Sequence, residues 1–253
     1  MVFETHPNAA EGLTASEPFV SGHGRAMLVV VLFIADICTS AFAAVSNFMQ
    51  YSLLSEVAEG GITPEQAASN DLRQWVVTVV SITVFVALVV AFLTWLHRVM
   101  KNLPALGNPK SRIEYTPAWA VGSFFIPFGH LFMPYRAVRE AWDKSNPLVR
   151  TETGLAFAPL SPSGLLVGWW VSWIAFGVVS RVASRLNSSS DDAETFLRAT
   201  GVMIVANVVG ILAAVLAILV VRGLDRRQEE RSRNVTYAAH TPPPPLMPRP
   251  PQV

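Results

Sequence analysis

The amino-acid sequence predicts an all-α fold: a polytopic membrane helical bundle of four transmembrane helices plus a Pro-broken re-entrant or interfacial segment. The first observation is composition. The chain of 253 residues is 51% hydrophobic and only 15% charged, whereas soluble proteins are about a quarter charged. The second is that four apolar runs are long enough to cross about 30 Å of hydrocarbon. The third is a further apolar run that prolines interrupt.

The four predicted spanning helices are the runs 26–50, 75–97, 164–186 and 200–221. Each has at least the roughly 20 residues that a crossing needs. Arg181 and Arg185 lie near the end of the third run, where their long stems can reach the interface. Small residues recur at helical spacing, as at Ala206, Gly210 and Ala214. Such stripes pack helices in lipid, either within one chain or between two copies, so the sequence leaves an oligomer possible.

The interrupted run is the segment 116–135, TPAWAVGSFFIPFGHLFMPY, in which Pro127 and Pro134 break the helical pattern. Basic residues flank it on both sides, the nearest being Arg112 and Arg136. If it crossed the bilayer, one basic flank would lie outside and every later helix would invert. The sequence therefore favours a segment that enters and leaves on one side. An interfacial element and a fifth span are the alternatives.

The distribution of lysine and arginine predicts the orientation. The loops alternate, with one in 55–73, eight in 98–163, one in 187–198 and six from Arg222 onward. The positive-inside rule then predicts a multi-pass protein of the plasma (inner) membrane with both termini cytoplasmic. Arg181 and Arg185 oppose this orientation, because it puts them at the outer interface. The net charge of +1 gives no indication of nucleic-acid binding.

Polar ends flank the predicted membrane domain, which covers 25–227. We predict disorder for the cytoplasmic N-terminus, 1–24, and for the Pro-rich tail, 228–253. The tail ends in TPPPPLMPRPPQV, a composition that favours polyproline II. Pro245, Pro248 and neighbouring Arg249 could dock in an aromatic groove of a protein partner. A simple flexible tail is the alternative.

Two blocks, 94–107 and 115–145, contain Trp, Pro and Gly residues in an unusual order. In these blocks the chain resembles a bacterial integral membrane family, the domain of unknown function 4328. The matching motif residues are Trp95, Arg98, Asn102, Leu103, Pro117, Trp119, Ala120, Val121, Gly122, Phe125, Ile126, Pro127, Pro134, Tyr135, Arg139 and Glu140. The family has no established activity, so the resemblance implies a membrane architecture and no particular chemistry.

Two ionisable residues are the candidate functional pair. Asp36 lies about ten residues into the first run, or about 15 Å deep. A carboxyl group at that depth costs several kcal/mol unless it is paired, hydrated or protonated. His130, three residues after Pro127, is the best other titratable candidate for a comparable depth. We hypothesise that the two side chains approach each other. The alternatives are a hydrogen-bonded Asp that serves helix packing and a His at the headgroup boundary.

The sequence contains no recognisable catalytic triad, phosphate-binding loop, dinucleotide fingerprint or metal-ligand spacing, and it predicts no cofactor. Three function classes remain. The leading one is a non-enzymatic interaction or assembly protein, with the lipid bilayer as a partner. The second is a small transporter or channel component that uses Asp36 and the segment 116–135. The third is a lipid-acting membrane enzyme, for which no residue gives positive evidence.

Overall fold

The computed structural model of the protein describes residues 18–59, 61–147, 164–188 and 193–240. Within these ranges the chain forms helices and no strand, which confirms the predicted all-α class. The six α-helices are α1 (His23–Glu59), α2 (Pro64–Asn102), α3 (Pro117–Gly122), α4 (Met133–Lys144), α5 (Gly164–Ser188) and α6 (Ala193–His240). Single 3-10 turns connect the shorter pieces.

Four helices are long and apolar enough to cross a membrane, which confirms the predicted polytopic bundle. By length and composition these candidate spans are His23–Ser55, Pro64–Asn102, Gly164–Ser188 and Glu194–Thr236. Each contains one of the four runs predicted from sequence. The helices are longer than the runs because local signals extend them into polar sequence. At the start of α2, for example, Thr63 and Gln66 form a reciprocal capping box around Pro64.

The four long helices run in alternating directions, with α1 between α2 and α6 and with α5 against α6. We call the end where α1 begins and α2 ends the core end, and the opposite end the loop end. The buried core lies at the core end, where the largest fully buried side chains include Trp95, Leu96, Met100, Leu103, Leu166 and Leu224. Among the described residues, the large buried side chains are therefore concentrated at the core end.

The start of α1 and the last part of α6 meet at the core end. His23 Nδ1 lies 2.8 Å from the Asp225 carboxylate, and Ser21 Oγ donates a hydrogen bond to Glu229. Both ends of the described chain thus lie on one side of the bundle.

Helix α6 corrects the predicted disorder from residue 228, because it remains helical to His240. The reason is that its polar side chains are buried against distant carbonyl groups. Gln228 is 3% exposed and Arg231 is 4% exposed. The predicted N-terminal disorder is also too extensive, since the backbone of Val20 exchanges two hydrogen bonds with the Asn102 side chain. Residues 1–17 and 241–253 lie outside the described residues.

A slot on α6 holds the α4 side chain of Trp142. At Gly223 the helix approaches the indole so closely that a Cβ atom would lie 2.7 Å from Trp142 Cη2. One turn later, the Arg227 guanidinium lies 4.1 Å from the centroid of the same ring, a cation–π geometry. Arg227 also donates to the Trp142 carbonyl, 3.3 Å away. The slot therefore fixes α4 on α6.

We expect Gly223→Ala to lower the apparent melting temperature in detergent, because its methyl group would overlap Trp142. Overpacking of this kind costs about 1–3 kcal/mol. Gly177→Ala is the matched control, since nothing lies within 4 Å of the position its Cβ would take, and alanine favours a helix by about 0.5–1 kcal/mol over glycine. Thermal unfolding followed by tryptophan fluorescence measures both. Equal stability of the two variants would contradict the slot.

Candidate functional site

The segment between α2 and α4 folds as a hairpin, which we define as residues 114–140. Its first arm is α3, where Thr116 Oγ1 accepts a hydrogen bond from the Trp119 N–H at 3.2 Å and Pro117 takes the first helical position. This is a standard helix start. Helix α3 has six residues, or about 9 Å of length. It is far too short to cross a bilayer.

The hairpin reverses at Phe128. Pro127 ends the first arm, and the Gly129 N–H donates to the Pro127 carbonyl at 2.6 Å. Phe128 lies between them with φ 59° and ψ −37°, which makes this the rare, strained form of γ-turn. Its ring is 82% exposed. The strained turn therefore projects a large apolar side chain away from the protein.

Glu140 closes the base of the hairpin. Its carboxylate accepts hydrogen bonds from the backbone N–H groups of Glu114, at 2.6 Å, and Tyr115, at 2.9 Å. Lys144 forms an ion pair with the same carboxylate and donates to the Arg112 carbonyl. The end of the hairpin, at Glu140, is thus held next to its beginning, at Glu114 and Tyr115.

The second arm, α4, ends among charged groups that hold it to α6. Arg139 lies 3.6 Å from the Asp143 carboxylate, and Arg227 lies close enough to interact with it. Burial nevertheless raises the pKa of Asp143 above its ordinary value, while the two arginines lower it. Cationic groups near the last turn of α4 are also favoured by the helix dipole.

The family-motif residues occupy different environments. Trp95 is fully buried, and its Nε1 is one of two buried side-chain atoms without a hydrogen-bond partner in the described part of the chain. Asn102 and Pro134 are buried, while Trp119 is exposed. Leu103 and Ala120 are buried as well, whereas Phe125 and Pro127 are exposed. The half-buried members are Arg98, Pro117, Val121, Gly122, Ile126, Tyr135, Arg139 and Glu140. The motif thus combines core positions with positions that shape the hairpin.

A cavity of about 330 Å³, which we call the apolar cavity, lies between the four long helices and the hairpin. Its walls include the aromatic side chains Phe33, Phe85, Phe92, Phe124, Phe125, Trp169, Trp173 and Phe176. Among the residues that line it, Asp36 carries the single charged group and Ser40, one helical turn away, adds a hydroxyl. The predicted functional residue therefore faces a largely aromatic cavity.

Small residues and aromatic contacts shape the apolar cavity. Gly210 lets the Phe176 ring approach α6, since a Cβ there would lie 3.0 Å from Phe176 Cε2. Toward the core end, Phe92 meets Phe124 of the hairpin and Trp169 of α5, with ring centroids 5.9 and 6.4 Å apart. These rings separate the cavity from the buried core.

A second cavity of about 500 Å³, the polar chamber, lies at the loop end. Its polar lining includes Asn47, Gln50, Asp71, Gln74 and Asn207. The Asn207 Nδ2 atom is buried and has no hydrogen-bond partner within the described residues. Such an unpaired amide costs about 1–3 kcal/mol. These residues lie in different helices and in the loop before 75–97, and the sequence did not indicate a shared chamber.

The structure does not connect Asp36 with His130. Neither side chain has a hydrogen bond or ion pair with the other in the part of the chain that the structure describes. His130 belongs to the 3-10 turn Gly129–Leu131 and does not line the apolar cavity. The physical reason is that Trp170 Nε1 donates to the Leu131 carbonyl at 2.9 Å, which holds this turn against α5. The hairpin instead presents Phe124 and Phe125 to the Asp36 cavity.

The described residues contain no group of three or more His, Cys, Asp or Glu that could hold a metal ion. They do contain a buried polar cluster at the core end. Gln228 Nε2 donates to the Val99 carbonyl at 3.0 Å and to Ser145 Oγ at 3.2 Å, and Arg231 Nε donates to the Leu106 carbonyl at 2.8 Å. Because these groups satisfy one another, the cluster braces α6 and offers no free group to a ligand.

Comparison with known proteins gives one match. A family model described as a domain of unknown function (DUF4328) matches residues 58–226. That stretch includes α2, the hairpin, α5 and most of α6, but it begins at the end of α1, so Asp36 lies outside it. No curated protein and no solved structure matches the chain.

We expect Glu140→Gln to loosen the base of the hairpin, because Oε1 and Oε2 of the carboxylate each accept one backbone N–H. An amide has one acceptor oxygen, so its NH2 group would face the other N–H. The cost should be about 1–2 kcal/mol, and cleavage by trypsin at Lys110 and Arg112 should become faster. Limited proteolysis and thermal unfolding measure the effect. Glu194→Gln, which removes an exposed ion pair with Arg198, should change neither. Unchanged proteolysis in Glu140→Gln would show that the carboxylate does not close the hairpin.

Proposed function

The chain belongs to the family of domains of unknown function DUF4328, and from its interior we propose that it is an integral membrane protein that binds a lipophilic cation in the apolar cavity. One observation carries the proposal. Asp36 is the charged side chain in the lining of a largely aromatic cavity, and its carboxylate forms no hydrogen bond or ion pair within the described residues.

The chemistry of the cavity favours a cation that is itself largely apolar. An unpaired carboxylate in a low-dielectric interior is costly, and a ligand cation would remove that cost. Aromatic faces attract cations as well as apolar groups. The volume of about 330 Å³ falls in the range of roughly 300–1,000 Å³ typical of small-molecule sites. A neutral or anionic ligand would leave the Asp36 carboxylate unpaired or repelled. The ligand class is therefore a hydrophobic ammonium or phosphonium ion.

Of the three function classes, the cavity favours a small transporter or channel component, because a site inside the bundle is the central requirement for moving a ligand. The interaction or assembly role depends mainly on the Pro-rich tail, and 241–253 lies outside the described residues. A protein partner through that tail remains a separate proposal. A lipid-acting enzyme has no supporting group of residues.

We also propose that the hairpin is re-entrant and enters the bilayer from the cytoplasmic side. Its tip carries exposed apolar rings at Phe125, Phe128 and Phe132, which are 70%, 82% and 66% exposed. Its base carries Glu140 and Lys144 with their ion pair. An apolar tip is suited to the lipid interior, and a charged base is suited to the membrane–water interface. The basic core end then lies in the cytoplasm with both termini, as expected for the inner membrane.

The re-entrant proposal predicts that both flanks of the hairpin are accessible from one side. In a Cys38→Ser background, Ser111→Cys and Arg136→Cys replace exposed residues before and after the turn. Both should react with an impermeant maleimide from the cytoplasmic side of oriented vesicles. Glu65→Cys, at the loop end, should react from the opposite side. Labelling of Ser111→Cys and Arg136→Cys from opposite sides would show that the hairpin crosses the membrane.

The binding proposal predicts that Asp36→Asn weakens tetraphenylphosphonium binding at least tenfold, which corresponds to about 1.4 kcal/mol. Equilibrium dialysis of the purified protein in lipid nanodiscs measures the affinity. Tetraphenylborate has the same shape and the opposite charge, so it should show no loss of affinity in Asp36→Asn. Glu194→Gln should bind the phosphonium as the unaltered chain does. Equal phosphonium binding by Asp36→Asn, or no saturable binding at all, would overturn the proposal.

A further inference from the structure

We propose that the polar chamber and the apolar cavity form one axial passage through which water and ligand cations reach Asp36 from the loop end. The choice of a lipophilic cation as ligand rests on the proposed function. The passage itself rests on the position of the two cavities, and it can be tested without any ligand.

Helix α1 lines both cavities with a single face. Asp36 and Ser40 line the apolar cavity, and Ala43 and Asn47 line the polar chamber. The successive spacings of four, three and four residues place all of them on one side of the helix. The two cavities therefore lie end to end along α1.

Helices α2 and α6 repeat the pattern. On α2, Ser81 lines the polar chamber and Phe85 lines the apolar cavity. On α6, Asn207 lines the chamber and Gly210 lines the cavity. Each step is three or four residues, or about 5 Å along a helix axis. The partition between the two cavities is thus about one helical turn thick on all three helices.

Polar side chains from three helices border this partition. They are Ser40, Ser81 and Asn207, and they lie beside the rings of Phe85 and of Phe176, which packs on Gly210. Asn207 Nδ2 is buried and lacks a hydrogen-bond partner in the described residues. A buried amide of this kind requires a partner, and water is the common one. The partition therefore contains polar groups that suit water beside its aromatic rings.

The two ends of the proposed passage differ, and this difference indicates from which end water and cations would reach Asp36. Toward the core end, the rings of Phe92, Phe124 and Trp169 close the apolar cavity over the fully buried core. Toward the loop end, the polar chamber carries the exposed carboxylate of Asp71. Nearby Arg73 does not line the chamber, because its guanidinium donates to Ser46 and Asn70. The chamber is therefore the more polar of the two ends, and the proposed entry is from the loop end.

Cysteine accessibility tests the passage directly. In a Cys38→Ser background, Ser81→Cys and Asn207→Cys place thiols at the partition. Val80→Cys and Val208→Cys are matched controls, because these neighbours point outward and are 45% and 59% exposed on the apolar surface. A permanently charged, membrane-impermeant trimethylammonium methanethiosulfonate, added at the loop end, should label the partition thiols at least tenfold faster than the controls. Labelling of Asn207→Cys at the Val208→Cys rate would overturn the passage.

A second pair of variants tests the route to the apolar cavity. Asn207→Leu should slow labelling of a thiol at Ser40→Cys at least tenfold, whereas Val208→Leu should leave the rate unchanged. Equal rates in these two variants would overturn a route past Asn207.

The experiment separates the passage from the ligand. If tetraphenylphosphonium binds through Asp36 but Ser40→Cys is not labelled, the passage is overturned and the binding site stands. If Ser40→Cys is labelled but tetraphenylphosphonium neither binds nor protects it, the passage stands and the proposed cation is overturned.

Discussion

The structure depends on hydrogen bonds to the backbone N–H and C=O groups of the irregular segment between α2 and α4, which lies in apolar surroundings. Lipid provides no hydrogen bonds, so the protein must provide them. Glu140 accepts the N–H groups of Glu114 and Tyr115 at the base of the hairpin. Near the tip, Trp170 donates to the Leu131 carbonyl. Because the hairpin is held at both places, it can act as a fixed wall of the apolar cavity, where Phe124 packs against Phe92.

The two ends of the bundle differ for a related reason. At the core end, α6 continues past the apolar belt and places Gln228 and Arg231 against the carbonyl groups of Val99, Leu106 and Asn146. Buried polar side chains are costly unless they are paired, and these are. This end is therefore closed and braced. The loop end has no comparable core among the described residues, and there the helices separate around the polar chamber.

This asymmetry connects the architecture to the proposed function. Within the described residues, the carboxylate that lines the apolar cavity has no partner, whereas the core end pairs the buried side chains of Gln228 and Arg231. The unpaired Asn207 amide lies on the side from which the carboxylate would be reached. A protein that needed only stability would gain by replacing both groups with apolar ones. Their position along one axis supports a role in binding and passage.

The sequence by itself determined the features that depend on residues close together in the chain. Apolar length determined the four spans, Thr63 and Thr116 determined helix starts, and Pro127 determined the break in the hairpin. The sequence also identified Asp36 as a candidate functional residue, because a carboxyl group inside a long apolar run is unusual whatever its neighbours in space. Only the tertiary structure decided where distant groups meet. From sequence alone, the segment from residue 228 is indistinguishable from a polar tail. The carbonyl groups that bind its Gln228 and Arg231 side chains lie more than a hundred residues earlier in the chain. The cavity, and the absence of His130 from its lining, likewise depend on packing between helices, which local sequence does not encode.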